Sequence, residues 1–191
     1  MPTINGPNGT VVEVTDENRL RTFSISRSLE SHVNHEEGEA YNVLFSQSPT
    51  AADDCIFYMV NSSDTGMIIE GITLGFINAA AVDAEVYVQL GDKGTRNGAT
   101  ALTPGNLNAG SGNAADGTFE QGADLDGGAA TLTGGTEIER WVFANVQDRE
   151  SAYINFEQDV ILPKNQTLTI WVSDVDATYY VTVPFYYHNA E

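Results

Sequence analysis

No window of this chain places apolar residues at helical spacing over three turns, whereas clusters of β-branched and aromatic residues bounded by Gly, Asn, Asp or Ser recur throughout. That pattern predicts an all-β fold. The expected strands are 40–47, 54–61, 67–78, 82–91, 137–145, 151–156, 166–173 and 177–188, eight in number. Val86, Val88 and Leu90 share one face and Glu85, Tyr87 and Gln89 the other, so one face is expected to be buried there. Apolar residues of both parities in 67–78 predict a central strand or a bulge. The short Ser173–Asp176 connection predicts that the last two strands form a hairpin, and Pro184 marks an edge position or a bulge.

Two regions fall outside this pattern. Residues 1–39 carry scattered apolar positions, among them Leu20, Phe23 and Ile25, too dispersed to close a core alone. They are expected to form either an extended N-terminal arm, which could span roughly 130 Å at full extension, or a disordered tail with one short strand, ahead of a sandwich body at 40–191. Residues 94–135 are rich in Gly, Ala, Asn and Thr and predict a loop-rich protrusion that hides short strands such as 99–103 and 130–133.

Charge narrows the function classes. Eight Lys plus Arg against 27 Asp plus Glu give a formal net charge of −19, which makes any path along a phosphate backbone repulsive. Nucleic acid is therefore not an expected partner. No apolar run approaches the ~20 residues that cross a bilayer, and the first residues lack the basic and apolar regions of a secretory signal, so neither membrane insertion nor export by that route is expected. The single Cys55 lies in the apolar Asp54–Val60 run and reads as a buried thiol.

Candidate chemistry is sparse. His32, His35, Glu36 and Glu37 are ligand types in close sequence, but without a helical face to gather them they read as a polar hinge between arm and body. Asp124-Leu-Asp-Gly-Gly128 resembles a fragment of a calcium loop without the rest of its spacing. Glu137, Glu139, Glu150 and Glu157 sit on or beside strands and could pair as carboxylates do in glycoside hydrolysis, while no Gly-x-Ser-x-Gly elbow is present. Trp141, Trp171, Tyr153, Tyr179, Tyr180, Phe185, Tyr186 and Tyr187 could form a sugar-stacking platform, and the run at 185–187 must put aromatic surface on both sides of a sheet. On balance no catalytic residue, bound metal or cofactor is expected.

Several segments taken together carry a resemblance: Asn18-Arg-Leu-Arg-Thr22, Glu37-Gly-Glu-Ala-Tyr41, Asp54–Asn61, Ile68-Ile-Glu-Gly-Ile72 and Asn155–Asn165. From about Asn18 to His188 the chain resembles virion structural proteins of tailed bacteriophages, especially jelly-roll head decoration (cement) proteins, in pattern and without a diagnostic motif. The resemblance implies an eight-stranded antiparallel jelly-roll β-sandwich with an extended arm and a long Gly/Ala-rich insertion. It further implies a non-enzymatic role on the capsid surface after synthesis in the host cytoplasm. The implied partners are the major capsid protein and sister copies in a homotrimer. Arm residues Leu20, Phe23 and Ile25, with Tyr186 and Tyr187, are the expected interface contacts. The competing expectation is a carbohydrate-binding or host-receptor-binding module, also commonly built on β-sandwiches.

Overall fold

The computed structural model of the chain describes residues 3–5, 11–13, 28–173 and 175–188, with side chains for 28–77, 83–143, 151–157, 160–173 and 175–188. The expected arm contacts Leu20, Phe23 and Ile25 lie outside the described residues. Strands β1 (Thr3–Asn5) and β2 (Val11–Glu13) pair as a small antiparallel ribbon. The end of the expected arm is helical. Ser28 caps α1 (Leu29–His32) by accepting the Ser31 N–H at 3.2 Å, and a π turn (Val33–Glu37) follows. Gly38, at φ 66°, closes that turn with its N–H donating to the Val33 carbonyl at 2.8 Å.

The remaining strands are β3 (Ala40–Gln47), β4 (Asp54–Asn61), β5 (Met67–Leu90), β6 (Thr100–Ala101), β7 (Gly105–Asn106), β8 (Gly117–Gln121), β9 (Thr136–Leu162), β10 (Thr167–Val172) and β11 (Ala177–Tyr187). Every pairing is antiparallel, in the order β6-β8-β4-β10-β5-β11-β3-β7, with β9 on β5. The first half of β5 lies beside β11 and its second half beside β10, while β9 accompanies it throughout. Two layers result, β7-β3-β11-β5-β9 and β6-β8-β4-β10-β5-β9. Their inner faces meet: the Phe45 and Phe57 rings stack at 4.8 Å, and Phe119 lies 5.2 Å from Phe185. Met59, Ile69, Leu74, Val86, Val88 and Ile170 are among the residues that fill the space between them. The arrangement is all-β and sandwich-like.

Two expectations are corrected by the pairing, and a third, the edge or bulge at Pro184, is met by a bulge. The segments 67–78 and 82–91 are one strand, as are 137–145 and 151–156, because β5 and β9 stay hydrogen-bonded to each other across the bend between layers. The last two strands do not form a hairpin; β10 sits between β4 and β5, and β11 between β3 and β5, so the two strands belong to different layers. Pro184 lies in an interior strand, opposite Asn42 of β3, where the pairing with β5 skips between Thr182 and Phe185. A bulge accommodates the missing N–H there.

The Gly-rich insertion does not stand off the body. Its short strands lengthen both layers, β8 along β4 and β7 along β3. Its neck is sutured at buried Asp92, whose carboxylate accepts the Gly135 N–H at 2.8 Å and the Thr169 hydroxyl at 2.5 Å. Its polar residues cap the π turn: side-chain amides of Asn106, Asn108 and Asn113 donate to the carbonyls of Gly38, Asn34 and Glu37 at 2.8–2.9 Å. These bonds satisfy carbonyls that a helix end leaves without partners. A side chain at Gly38 would need an unfavourable backbone and would come within 2.6 Å of Ser111 Oγ. Gly38→Ala is expected to lower stability by about 1–3 kcal/mol in urea melts, whereas Gly112→Ala, with nothing within 4 Å, is expected to change it far less.

Candidate functional site

The calcium-loop-like stretch folds against the start of β4. Leu125 is fully buried beside Cys55 and Tyr58, and its N–H donates to the Cys55 carbonyl at 2.9 Å. This anchor brings Asp124 and Asp126 to Asp54, and one carboxylate oxygen from each lies within 4.8 Å of the others. Asp54, only 4% exposed, accepts the Thr50 and Ala51 N–H groups at 2.8 and 2.6 Å and the Thr50 hydroxyl at 3.2 Å. Asp126 accepts the Cys55 N–H at 2.6 Å. Burial raises the Asp126 carboxyl above the usual aspartate range; the Cys55 N–H opposes this, and the charges of Asp54 and Asp124 add to it. Asp124 lies so close over Gly127 that a Cβ there would fall 1.8 Å from its Oδ2.

Oxygen ligands on one Ca²⁺ ion at about 2.4 Å are at most about 5 Å apart, so these three carboxylates could hold a hard divalent cation and are the described residues that could do so. The sequence identified Asp124 and Asp126 but not Asp54, which nothing but the fold brings near. His32, His35, Glu36 and Glu37 are not part of this set. His35 Nδ1 instead contacts its neighbour Glu36 at 3.0 Å on the surface.

The other candidates scatter. Cys55 is buried, burial pushes its thiol well up, and it donates to the Phe57 carbonyl at 3.3 Å. That is a core thiol. Glu137 and Glu85 flank Arg140, whose guanidinium lies 4.5 Å over the Tyr87 ring, making a surface ion cluster. Glu139 lies beside it on the same strand, the Glu150 side chain is outside those described, and Glu157 faces Glu30 and Glu70 in a small pocket. Among the aromatics, Tyr179, Phe185, Tyr186 and Tyr187 are buried in this single chain, and Trp171 stacks on Tyr87 at 6.0 Å. Tyr186 lies under the helical turns with Leu29 and Val33, and Tyr187 packs on Tyr41 and Phe185.

Exposed apolar surface concentrates elsewhere. Among the described residues β9 pairs only with β5, so its other side is a free edge running through both layers. Along it Ile138, Val142, Tyr153 and Ile161 are exposed, Val142 and Tyr153 at 59% each. On the outer face of the β11-containing layer an uncharged groove of about 470 Å³ runs between Leu44 and Tyr180, floored by Thr73, Gly75, Ser151 and Thr182. The signal for Leu44 was present in sequence, since Val43-Leu-Phe45 is apolar on both parities and one residue must point outward.

Comparison with protein-family models, curated proteins and solved structures finds no match to this chain. Among the described residues no helix is long and apolar enough to cross a membrane.

Asp54→Ala would remove the acceptor of the Ala51 N–H and one of two acceptors of the Thr50 N–H, in a turn whose other residues are exposed, and is expected to cost about 0.5–1.5 kcal/mol by urea denaturation, with Asp54→Asn losing less because one acceptor oxygen remains. Equal stability of Asp54→Ala and the natural chain would show that the carboxylate does not organise this turn.

Proposed function

We propose that this chain is a non-enzymatic structural protein of a tailed-bacteriophage virion, of the jelly-roll head-decoration type, which stabilises the shell by burying sheet-edge and arm surface against it. The observation that carries the reading is the edge of β9, a 27-residue strand with one hydrogen-bonded neighbour among the described residues and with Val142 and Tyr153 exposed. A long edge of this kind is a template for pairing with another chain, and isolated soluble proteins ordinarily blunt it. The strand order adds support. Counting each of β5 and β9 as two strands gives two four-stranded orders, β3-β11-β5-β9 and β4-β10-β5-β9, which favour the jelly-roll reading.

In this reading the capsid protein and sister copies, arranged as a trimer on the capsid surface, supply the cover, and binding the assembled state stabilises it by mass action. Carboxylate-rich surface keeps the free subunit soluble. The second reading, a glycan-binding module, draws on the exposure of Tyr153 and Tyr180, 59% and 48%, on the outer face of one layer.

Val142→Lys and Tyr153→Lys place charge on the free edge without touching the core. Each is expected to leave the melting temperature within a few degrees of the natural chain and to weaken retention on undecorated phage heads at least tenfold in co-sedimentation. Light scattering of the natural chain is expected to give a trimer. A monomer that ignores heads and is retained on a glycan column, with retention lost in Tyr180→Ala, would replace this reading by the second one.

A further inference from the structure

Two adjacent rows of side chains cross the outer face of the β3-β11-β5-β9 layer without a charge. In the pairing register Leu44, Thr182, Thr73 and Tyr153 form one row, and Ser46, Tyr180, Gly75 and Ser151 the next. Beyond them Thr178 faces Ile77, its hydroxyl 2.8 Å from that of Ser48. A chain with 27 acidic residues and a net charge of −19 thus leaves the middle of one sheet face neutral. The acids Glu70 and Glu157 lie at its far end, in the pocket closed by Glu30 of α1. Apolar exposure concentrates on the same face. Among the described residues nine large apolar side chains are exposed, and four of them, Leu44, Ile77, Tyr153 and Tyr180, stand here. Patches of this kind mark contact surfaces.

Relief identifies the partner. Leu44, 62% exposed, and Tyr180 stand proud of the sheet. Beside them is the groove of about 470 Å³, whose floor at Gly75, Ser151 and Thr73 is made of a glycine and short side chains. A foreign ligand needs only the recess, whereas a two-fold contact needs a patch complementary to itself, with projection and recess side by side. We propose that this face is a two-fold contact between copies of this chain, in which Leu44 and Tyr180 of each copy fill the groove of the other.

Charge supports the same occupant. Two bodies of net charge −19 repel, and Arg96, Arg140 and Lys164 already pair with acids of their own chain, so a copy is met best where neither surface brings a charge. Hydroxyls of Ser46, Thr73, Thr182 and Tyr180 meet their equivalents across the axis, which lets polar atoms pair as water leaves. Four strands ~4.8 Å apart and three outward rows ~6.8 Å apart make a face of roughly 400 Å² per copy. That is about half of the ~800 Å² per partner of a standard interface, so the contact is weak and fills at high concentration. It uses no strand edge and is separate from the β9 contact proposed above.

Sedimentation velocity of the full chain over a ~1 μM to ~1 mM dilution series tests this. The mass is expected to double within the series, whatever oligomer the β9 edge forms. The screening length falls from ~10 Å at 0.1 M salt to ~3 Å at 1 M, so the midpoint is expected at a lower concentration in 1 M NaCl, the reverse of an ion-paired contact. Leu44→Glu and Tyr180→Glu place charge on the face at exposed positions and are each expected to raise the midpoint at least tenfold. Val142→Lys, on the other half of β9, is expected to leave it unchanged. A mass independent of concentration, or doubling that persists in both face variants, would overturn the contact. So would retention of the face on a glycan column by a chain that does not double. Should a variant fail to fold, hydroxyl-radical footprinting of the natural chain decides: oxidation of Leu44 and Tyr180 is expected to fall as concentration rises, and equal oxidation throughout would overturn the proposal.

Discussion

The pairing of β5 with β9 is the constraint on which the rest of this structure depends. Hydrogen-bonded from Met67–Leu162 to Leu90–Thr136, the two strands pass together from one layer into the other, so each layer inherits the same two-stranded spine. The pairing order then follows by addition: β11 and β3 extend the first half of β5, and β10, β4 and β8 extend the second. Closing one layer over the other buries Phe45, Phe57, Phe76, Phe119 and Phe185 without a helix in the core. A bent ribbon must absorb the change of direction, and the pairing is irregular at several points along it, at Ile69/Gly71 and again between Asn78 and Ala84.

Among the described residues the same spine leaves β9 with one side free. A central strand satisfies its backbone groups from both sides, whereas β9 pairs with β5 alone among them. That asymmetry gives the assembly reading its physical basis. The acidic excess bears on where a partner could sit, because a strongly negative surface repels its own copies except where charge is locally absent or paired. The described cations are largely committed: Arg96 to Glu120 at 2.6 Å and over the Tyr58 ring at 4.2 Å, Lys164 to Asp64 at 2.7 Å, and Arg140 to Glu85 and Glu137. The groove between Leu44 and Tyr180 is lined without any charge. Carboxylates elsewhere approach one another, at Asp54, Asp124 and Asp126 and at Glu30 and Glu70, and there burial and mutual repulsion raise the Asp126 and Glu70 carboxyls.

The sequence by itself determined what depends on neighbours along the chain. The bounds of β3 and β4 coincide with their predicted windows, because side-chain alternation and flanking turn residues act within a few positions. Val86 and Val88 are buried as their period requires, and the turn after β4 is organised by buried Asn61, whose amide donates to the Thr65 and Leu162 carbonyls at 2.8 Å. Tyr87 breaks the expected alternation: it is buried on the opposite face, between Trp171 and Arg140. Local pattern cannot register cover supplied by another strand.

Tertiary structure alone decided the rest. Whether 67–78 and 82–91 are two strands or one depends on whether a partner bends with them, and β10 and β11 part company because their hydrogen-bonding partners lie in different layers. Asp54 joins Asp124 and Asp126 only because buried Leu125 pins the intervening loop to β4, and Glu30 reaches Glu70 only because the helical turns dock on β5. Backbone preference and side-chain period are short-range properties. The juxtaposition of charges is set by packing between residues far apart in the chain.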